Sequence, residues 1–208
     1  MKALAAPFVY ATVPKLLPDG GTVVCLGGGP SLTPDDVEYC RGKAIVIAIN
    51  DAYKLAPWAD VLYACDARWY NWHRGVPGFK GLKFSLQKAA GMWPRVGVLK
   101  RTGDYGLERK PHGIRAGRNS GYQAINVAWH LGATRVLLLG YDMQVQQGKP
   151  THWFGEHPNR TPPPVTSFRG PFRSLPPILA EFELEIINCS RETALPYFPR
   201  MTIEEALS

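Results

Sequence analysis

The chain has 208 residues, 45% of them hydrophobic, and carries a net charge of +7 from 24 Lys and Arg against 17 Asp and Glu. That length and apolar content are enough for one globular domain with its own core, without disulfide or metal staples, and no apolar run reaches the length of a membrane span. The opening stretch to Val13 is apolar but broken by Pro7, so a cytoplasmic protein is expected rather than an exported one. The four cysteines, Cys25, Cys40, Cys65 and Cys189, lack metal-ligand spacing. Three fall inside candidate strands, and all four read as small core residues of a reduced protein.

In chain order the pattern alternates strand and helix. Residues 22–26 form an apolar strand that runs into Gly27-Gly28-Gly29-Pro30-Ser31. Thr33, Pro34, Asp35 and Asp36 then mark a helix start over 34–41, with Thr as N-cap, Pro in the first position and acids in the first turn. Residues 44–49 are continuously apolar, as in a strand buried on both faces. A helical turn over 51–55 and a third strand over 61–65 follow. Residues 82–86 and 95–99 are weaker strand candidates, and 102–117 reads as a loop. The best helix spans 119–131, with Ala124, Val127, Ala128 and Leu131 on one face and Gly132 stopping it. Residues 135–139 are a strongly apolar strand. The stretch 144–171 holds six prolines and is expected to be an irregular, lid-like loop. A helix over 176–183, a strand over 184–188 and a short terminal helix over 202–207 complete the chain. The fold class is therefore α/β: a single Rossmann-like domain over 1–208, with a mostly parallel sheet flanked by helices.

In such sheets ligands bind beyond the carboxyl ends of the strands. The candidates there are Gly27, Gly28, Gly29 and Ser31 after the first strand, Asn50 and Asp51 after the second, Asp66 after the third, and Tyr141 and Asp142 after the 135–139 strand. The glycine turn is expected to hold a phosphate on open backbone amides. Asn119 and Ser120, opening the long helix, form a second anion-site candidate or a simple N-cap. His152 and His157, in the segment Thr151-His-Trp-Phe-Gly-Glu-His-Pro158, are not at helical spacing, so no metal pair is expected. Either is suited to act as a general base, and His157 is favoured because it lies deeper in the expected lid and Pro158 restricts its backbone. Core packing is the expected role of Trp69 and Trp72. Ten Lys and Arg between residues 80 and 118 face only Asp104 and Glu108, a bias that suits an anionic partner. No recognised nucleic-acid module is present, so a nucleotide is favoured over nucleic acid.

The Gly27-Gly-Gly-Pro-Ser-Leu32 turn, Ile49-Asn50-Asp51, Asn119-Ser120-Gly121, Leu139-Gly140-Tyr141-Asp142 and the Glu185-Ile-Ile-Asn-Cys-Ser190 ending together resemble the family-42 bacterial sialyltransferases. The resemblance extends to the wider group that includes the archaeal hydroxymethylpterin pyrophosphokinase type, and it runs from about Val23 to about Leu195. The histidine-bearing segment is most similar to small phage-encoded members of that group. The resemblance implies a cytidine nucleotide along the strand ends and a histidine in the late loop as catalytic base. It places Gly28 where those enzymes have an asparagine, Asn50 as a nucleotide contact and Ser120 at the donor. Met143, Gln144 and Val145 stand where the sialyltransferases have donor-phosphate tyrosines.

The expected function is a nucleotide-binding transferase, of glycosyltransferase type, with a nucleotide or nucleotide-sugar as substrate and no required cofactor. The acceptor is unspecified and a homo-oligomer is left open. One alternative is magnesium-dependent diphosphate transfer to a small alcohol, with Asp66 or Asp142 as ligands. Another is a non-catalytic phage accessory or virion protein that keeps only the fold.

Overall fold

Seven short strands, all parallel, run through the centre of the computed structural model, which describes residues 8–145, 151–155 and 165–208. They are β1 (Thr22–Leu26), β2 (Ile45–Ile49), β3 (Val61–Tyr63), β4 (Leu82–Ser85), β5 (Val96–Val98), β8 (Arg135–Leu139) and β9 (Glu185–Asn188), in the order β5-β4-β3-β2-β1-β8-β9. A separate two-stranded parallel pair joins β6 (Lys100–Arg101) to β7 (Gly113–Ile114). The main chain thus builds outward from β1 to one edge, then returns to β1's other side as β8. The order reverses between β1 and β8, which pair in register from Thr22↔Arg135 to Leu26↔Leu139. The architecture is the Rossmann-like α/β fold that the alternating pattern implies.

Alternation along the strands divides the core in two. Val23, Cys25, Ile47, Ile49, Val136 and Leu138 face α3 (Ser120–His130) and the α4 segment (Val165–Phe172). Val24, Leu26, Val46, Ala48, Leu137 and Leu139 face the layer that holds α1 (Pro34–Tyr39), α2 (Ala67–Trp72) and α5 (Ile203–Ala206). α1 and α3 start at the caps their sequences mark. Thr33 Oγ1 accepts from Asp36 N at 3.2 Å, and Asn119 Oδ1 accepts from Tyr122 N at 3.0 Å. Gly132 follows α3 at φ +100°, and a Cβ there would lie 2.1 Å from Leu17 O, so only glycine lets the N-terminal strap pack on this helix end. That strap also covers the edge strand: Ala11 N donates to Val98 O at 2.8 Å.

Several expectations need correction. The proline-rich stretch is not wholly irregular, because α4 spans Val165–Phe172. Pro171 falls in its last turn, and Phe172 is fully buried with its ring edge-on to Tyr122. Burial of that one ring draws the segment onto the core. The 102–117 loop contains β7, and 176–183 is a 3-10 turn at Pro176–Ile178 followed by further turns. Trp69 is core, but Trp72 is 39% exposed. Among the cysteines only Cys25 lies inside a strand; all four are free thiols.

One buried cation stands out. Lys83 on β4 is buried, and its ammonium donates to Gly75 O at 2.7 Å, with no carboxylate of the described residues within pairing distance. Burial, aided by the Arg95 charge, holds its pKa below the usual lysine value. Between that lowered value and the ordinary one the unfolded chain binds more protons, so stability rises with pH. We expect the stability difference between the wild type and Lys83→Met, from urea midpoints, to shift in favour of the wild type as pH climbs toward 10. A pH-independent difference would mean that Lys83 is charged to the same extent folded and unfolded.

Candidate functional site

All seven strands end at one rim, and the reversal between β1 and β8 opens a crevice there. The β1 turn uses two of its three glycine amides internally and leaves that of Gly28 open among the described residues. Gly27 N donates to Leu139 O at 2.7 Å and Gly29 N to Gly140 O at 2.8 Å. Ser31 donates twice to Asp142, from N to Oδ2 at 2.9 Å and from Oγ to Oδ1 at 2.7 Å. The expectation of an open glycine turn is corrected for Gly27 and Gly29, whose amides bond within the protein, and the open amide of the turn is that of Gly28. The first turn of α1 likewise has its own acids, and Asp36 is held by Arg191 at 2.7 and 2.8 Å. The glycines serve tight packing instead. A Cβ on Gly27 would lie 2.5 Å from Gly140 O, and one on Gly29 would lie 2.1 Å from Asp142 Oδ1.

Asp142 is 2% exposed. Burial pushes its pKa above the usual carboxylate value, against the lowering effect of the Ser31 hydrogen bonds. It is a structural clamp. Tyr141 is a core residue: it is buried, and its hydroxyl donates to Gly121 O at 3.0 Å. That bond ties the start of α3 to the end of β8. Asp51 is also internal. Its carboxylate accepts from Trp69 Nε1 at 2.9 Å and pairs with Lys54 at 2.6 Å and His73 at 3.4 Å. These hydrogen bonds and positive neighbours outweigh burial and hold its pKa below the ordinary value. Asp66 is exposed and caps α2, accepting from Arg68 N at 2.8 Å.

The open groups lie elsewhere on the rim. The first turn of α3 has no acid. Asn119 caps Tyr122 N, while neither the Ser120 and Gly121 amides nor the Ser120 hydroxyl has a partner among the described residues. Tyr63 at the end of β3 donates to Gln123 at 2.7 Å, which fixes the same helix end from the other side. Asn50, just past β2, is half-buried, and its side chain has no partner among the described residues. Its backbone is left-handed (φ 51°), as are Arg118 (φ 55°) before α3 and Met143 (φ 49°) after β8. Four other non-glycine residues, Arg74, Val76, Arg95 and Glu183, are left-handed as well, so this backbone feature is not confined to the rim.

The segment 151–155 sits on the β1 turn. Gly28 O accepts from Trp153 N at 3.2 Å and from His152 Nδ1 at 3.2 Å. Since a carbonyl only accepts, Nδ1 carries a proton. The His152 ring stacks on Phe154 at 4.9 Å, and Lys54 approaches the Phe154 ring at 5.8 Å. Trp153 Nε1 is buried without an acceptor. His157 and the rest of the expected lid, residues 146–150 and 156–164, lie outside the described residues. Lys54 and Gln123 were missed at the sequence level. Lys54's spacing of three from Asp51 was the available signal; nothing in the sequence links Gln123 to Tyr63.

No protein-family model, curated protein or solved structure matches this chain. No helix among the described residues is long and apolar enough to cross a membrane.

The packing of the β1 turn gives a direct test. Gly29→Ala should lower stability by about 3 kcal/mol, because neither the Asp142 carboxylate nor the Gly140 backbone can retreat. Gly28→Ala should keep near-wild-type stability, since its Cβ would meet only side chains of the 151–155 segment, His152 Nδ1 at 3.2 Å and Phe154 Cε1 at 3.9 Å. It should instead alter Trp153 fluorescence as the 151–155 segment shifts. Urea unfolding and emission spectra of the two variants check this, and equal stability losses would contradict it.

Proposed function

We propose that this chain is a nucleotide-binding transferase that uses a nucleotide-activated donor, of glycosyltransferase type. The reading is carried by one observation: the α3 N-terminus at the strand-end rim keeps the Ser120 and Gly121 amides and the Ser120 hydroxyl without partners among the described residues. Amides at the positive end of a helix suit a donor phosphate. Asn50 stands across the rim as a group for the base or ribose, and exposed Arg118 adds a positive charge beside the same helix end. The acceptor oxygen would bond to the activated carbon of the donor as the bond from that carbon to the phosphate oxygen breaks. The nucleotide leaves with the electron pair, stabilised at the α3 amides. The acceptor's proton passes to a histidine. His152 suits this, because its Nδ1 contact to Gly28 O at 3.2 Å holds the ring on the β1 turn at the rim. The sugar stays unspecified, since Met143, Gln144 and Val145 replace the tyrosines of the sialyltransferase pattern.

Magnesium-dependent diphosphate transfer finds less support. Both Asp142 oxygens already accept from Ser31, and Asp66 is engaged as a helix cap. These two residues do not fit a resident divalent-cation site, and no step is assigned to one.

A thermal-shift series with nucleotides and nucleotide sugars, with and without magnesium, tests the reading. A ligand at 100 times its Kd should add about 2.7 kcal/mol, or roughly 5–11 °C for a chain of this size. Ser120→Ala should weaken that ligand about tenfold or more while leaving the unliganded Tm near the wild type. Once an acceptor is found, His152→Ala should slow turnover roughly 10²–10⁴-fold with donor binding little changed. A shift that requires magnesium and a nucleoside triphosphate would favour diphosphate transfer. No shift with any nucleotide would leave the accessory protein.

A further inference from the structure

The basic stretch between residues 80 and 118 takes no part in the nucleotide site except at Arg118. Within it Arg101, Arg109 and Arg115 pair with Asp104, Glu181 and Glu108. Lys88, Lys100 and Lys110 are exposed and have no carboxylate partner among the described residues. The fold gathers these three along one edge of the molecule. The N-terminal strap runs beside β5, with Ala11 N on Val98 O at 2.8 Å, and reaches the β6–β7 pair, with Val13 N on Pro111 O at 2.9 Å. Lys100 lies two residues past Val98, and its amide donates to His112 O at 2.7 Å. Lys110 directly precedes Pro111. At the strap's other end the Lys88 ammonium lies over the rings of Phe8 and Tyr10, at 5.1 and 5.7 Å. Phe8 is 42% exposed. From Phe8 to Val13 an extended strap covers about 16 Å.

We infer that this edge is a binding surface for single-stranded nucleic acid. Uncompensated cations spaced along an extended track suit a phosphate backbone, and the exposed Phe8 ring, packed edge-on against half-buried Tyr10 at 5.1 Å, suits an unstacked base. A duplex would engage the cations but leave Phe8 and Tyr10 without bases to stack on. The surface is built from the strap, the Lys88 turn and the β6–β7 pair. It does not use the crevice between β1 and β8, and it stands whether or not the nucleotide reading holds.

The test is fluorescence anisotropy of a labelled 12-residue oligothymidylate with the full chain, titrated at several salt concentrations. Binding should weaken with salt, and Lys100→Gln with Lys110→Gln should reduce the slope of log K against log salt by about 1.4, or about 0.7 per cation. Lys43→Gln, on the loop before β2, removes a charge away from the surface and should leave the slope unchanged. Phe8→Ala and Tyr10→Ala should each weaken the oligonucleotide about tenfold, with circular dichroism unchanged. Ser120→Ala should have no effect on it. Failure to bind the oligonucleotide at low salt overturns the inference. So does equal loss of slope in Lys43→Gln, which would indicate only the net charge. Equal affinity for duplex DNA or heparin, together with silent aromatic variants, would replace it with a surface for polyanions in general.

Discussion

The clamp between Asp142 and Ser31 is the contact on which the rim depends. It joins the turn after β1 to the turn after β8, two segments 111 residues apart in sequence, where the strand order reverses. A buried carboxylate is costly unless its oxygens are hydrogen-bonded. Here the Ser31 amide and hydroxyl supply those bonds. The clamp also requires close approach, which is why Gly27 and Gly29 admit no side chain. A hydrogen bond to a charged group contributes about 1.5–3 kcal/mol, so two of them fix the turn strongly.

This clamp relocates the anion chemistry. A strand that turns through glycines into a helix is a common phosphate cradle, but in this chain the acid comes from Asp142 itself, and Asp35 and Asp36 already occupy the start of α1. Among the described residues the groups left open are the α3 amides, the Ser120 hydroxyl, the Asn50 side chain and the Gly28 amide. That helix end is held in place by two tyrosines from the strand ends, Tyr63 through Gln123 and Tyr141 through Gly121 O. Tyr141 thus bears on the proposed site only indirectly, by positioning the α3 amides.

Much of the fold was legible in the chain. The apolar runs that became β1, β2 and β8, the Thr33 and Asn119 caps and the stop at Gly132 are local signals, and each depends on residues within one turn or strand. Where reading failed, the deciding contact was distant. Phe172 makes α4 ordered by packing on Tyr122, fifty positions earlier. β7 exists because 113–114 meets 100–101, and the weakly apolar sequence there gives no sign of it.

The site divides the same way. That polar residues follow the parallel strands, and so share a rim, is set by the sequence pattern, because parallel strands joined by crossovers must end together. Which of those residues are open to a ligand is not. Asp51, Tyr141 and Asp142 look like Asn50 on the page, a polar side chain after an apolar run. Their partners, Trp69, Gly121 and Ser31, lie 18, 20 and 111 residues away. Sequence alone determined the α/β class, the rim and the helix starts, since these follow from periodicity and capping chemistry within a few residues. Only the tertiary structure decided which rim groups are spent on holding the fold and which remain for chemistry, because hydrogen-bond satisfaction in a buried turn depends on whichever group the fold brings against it.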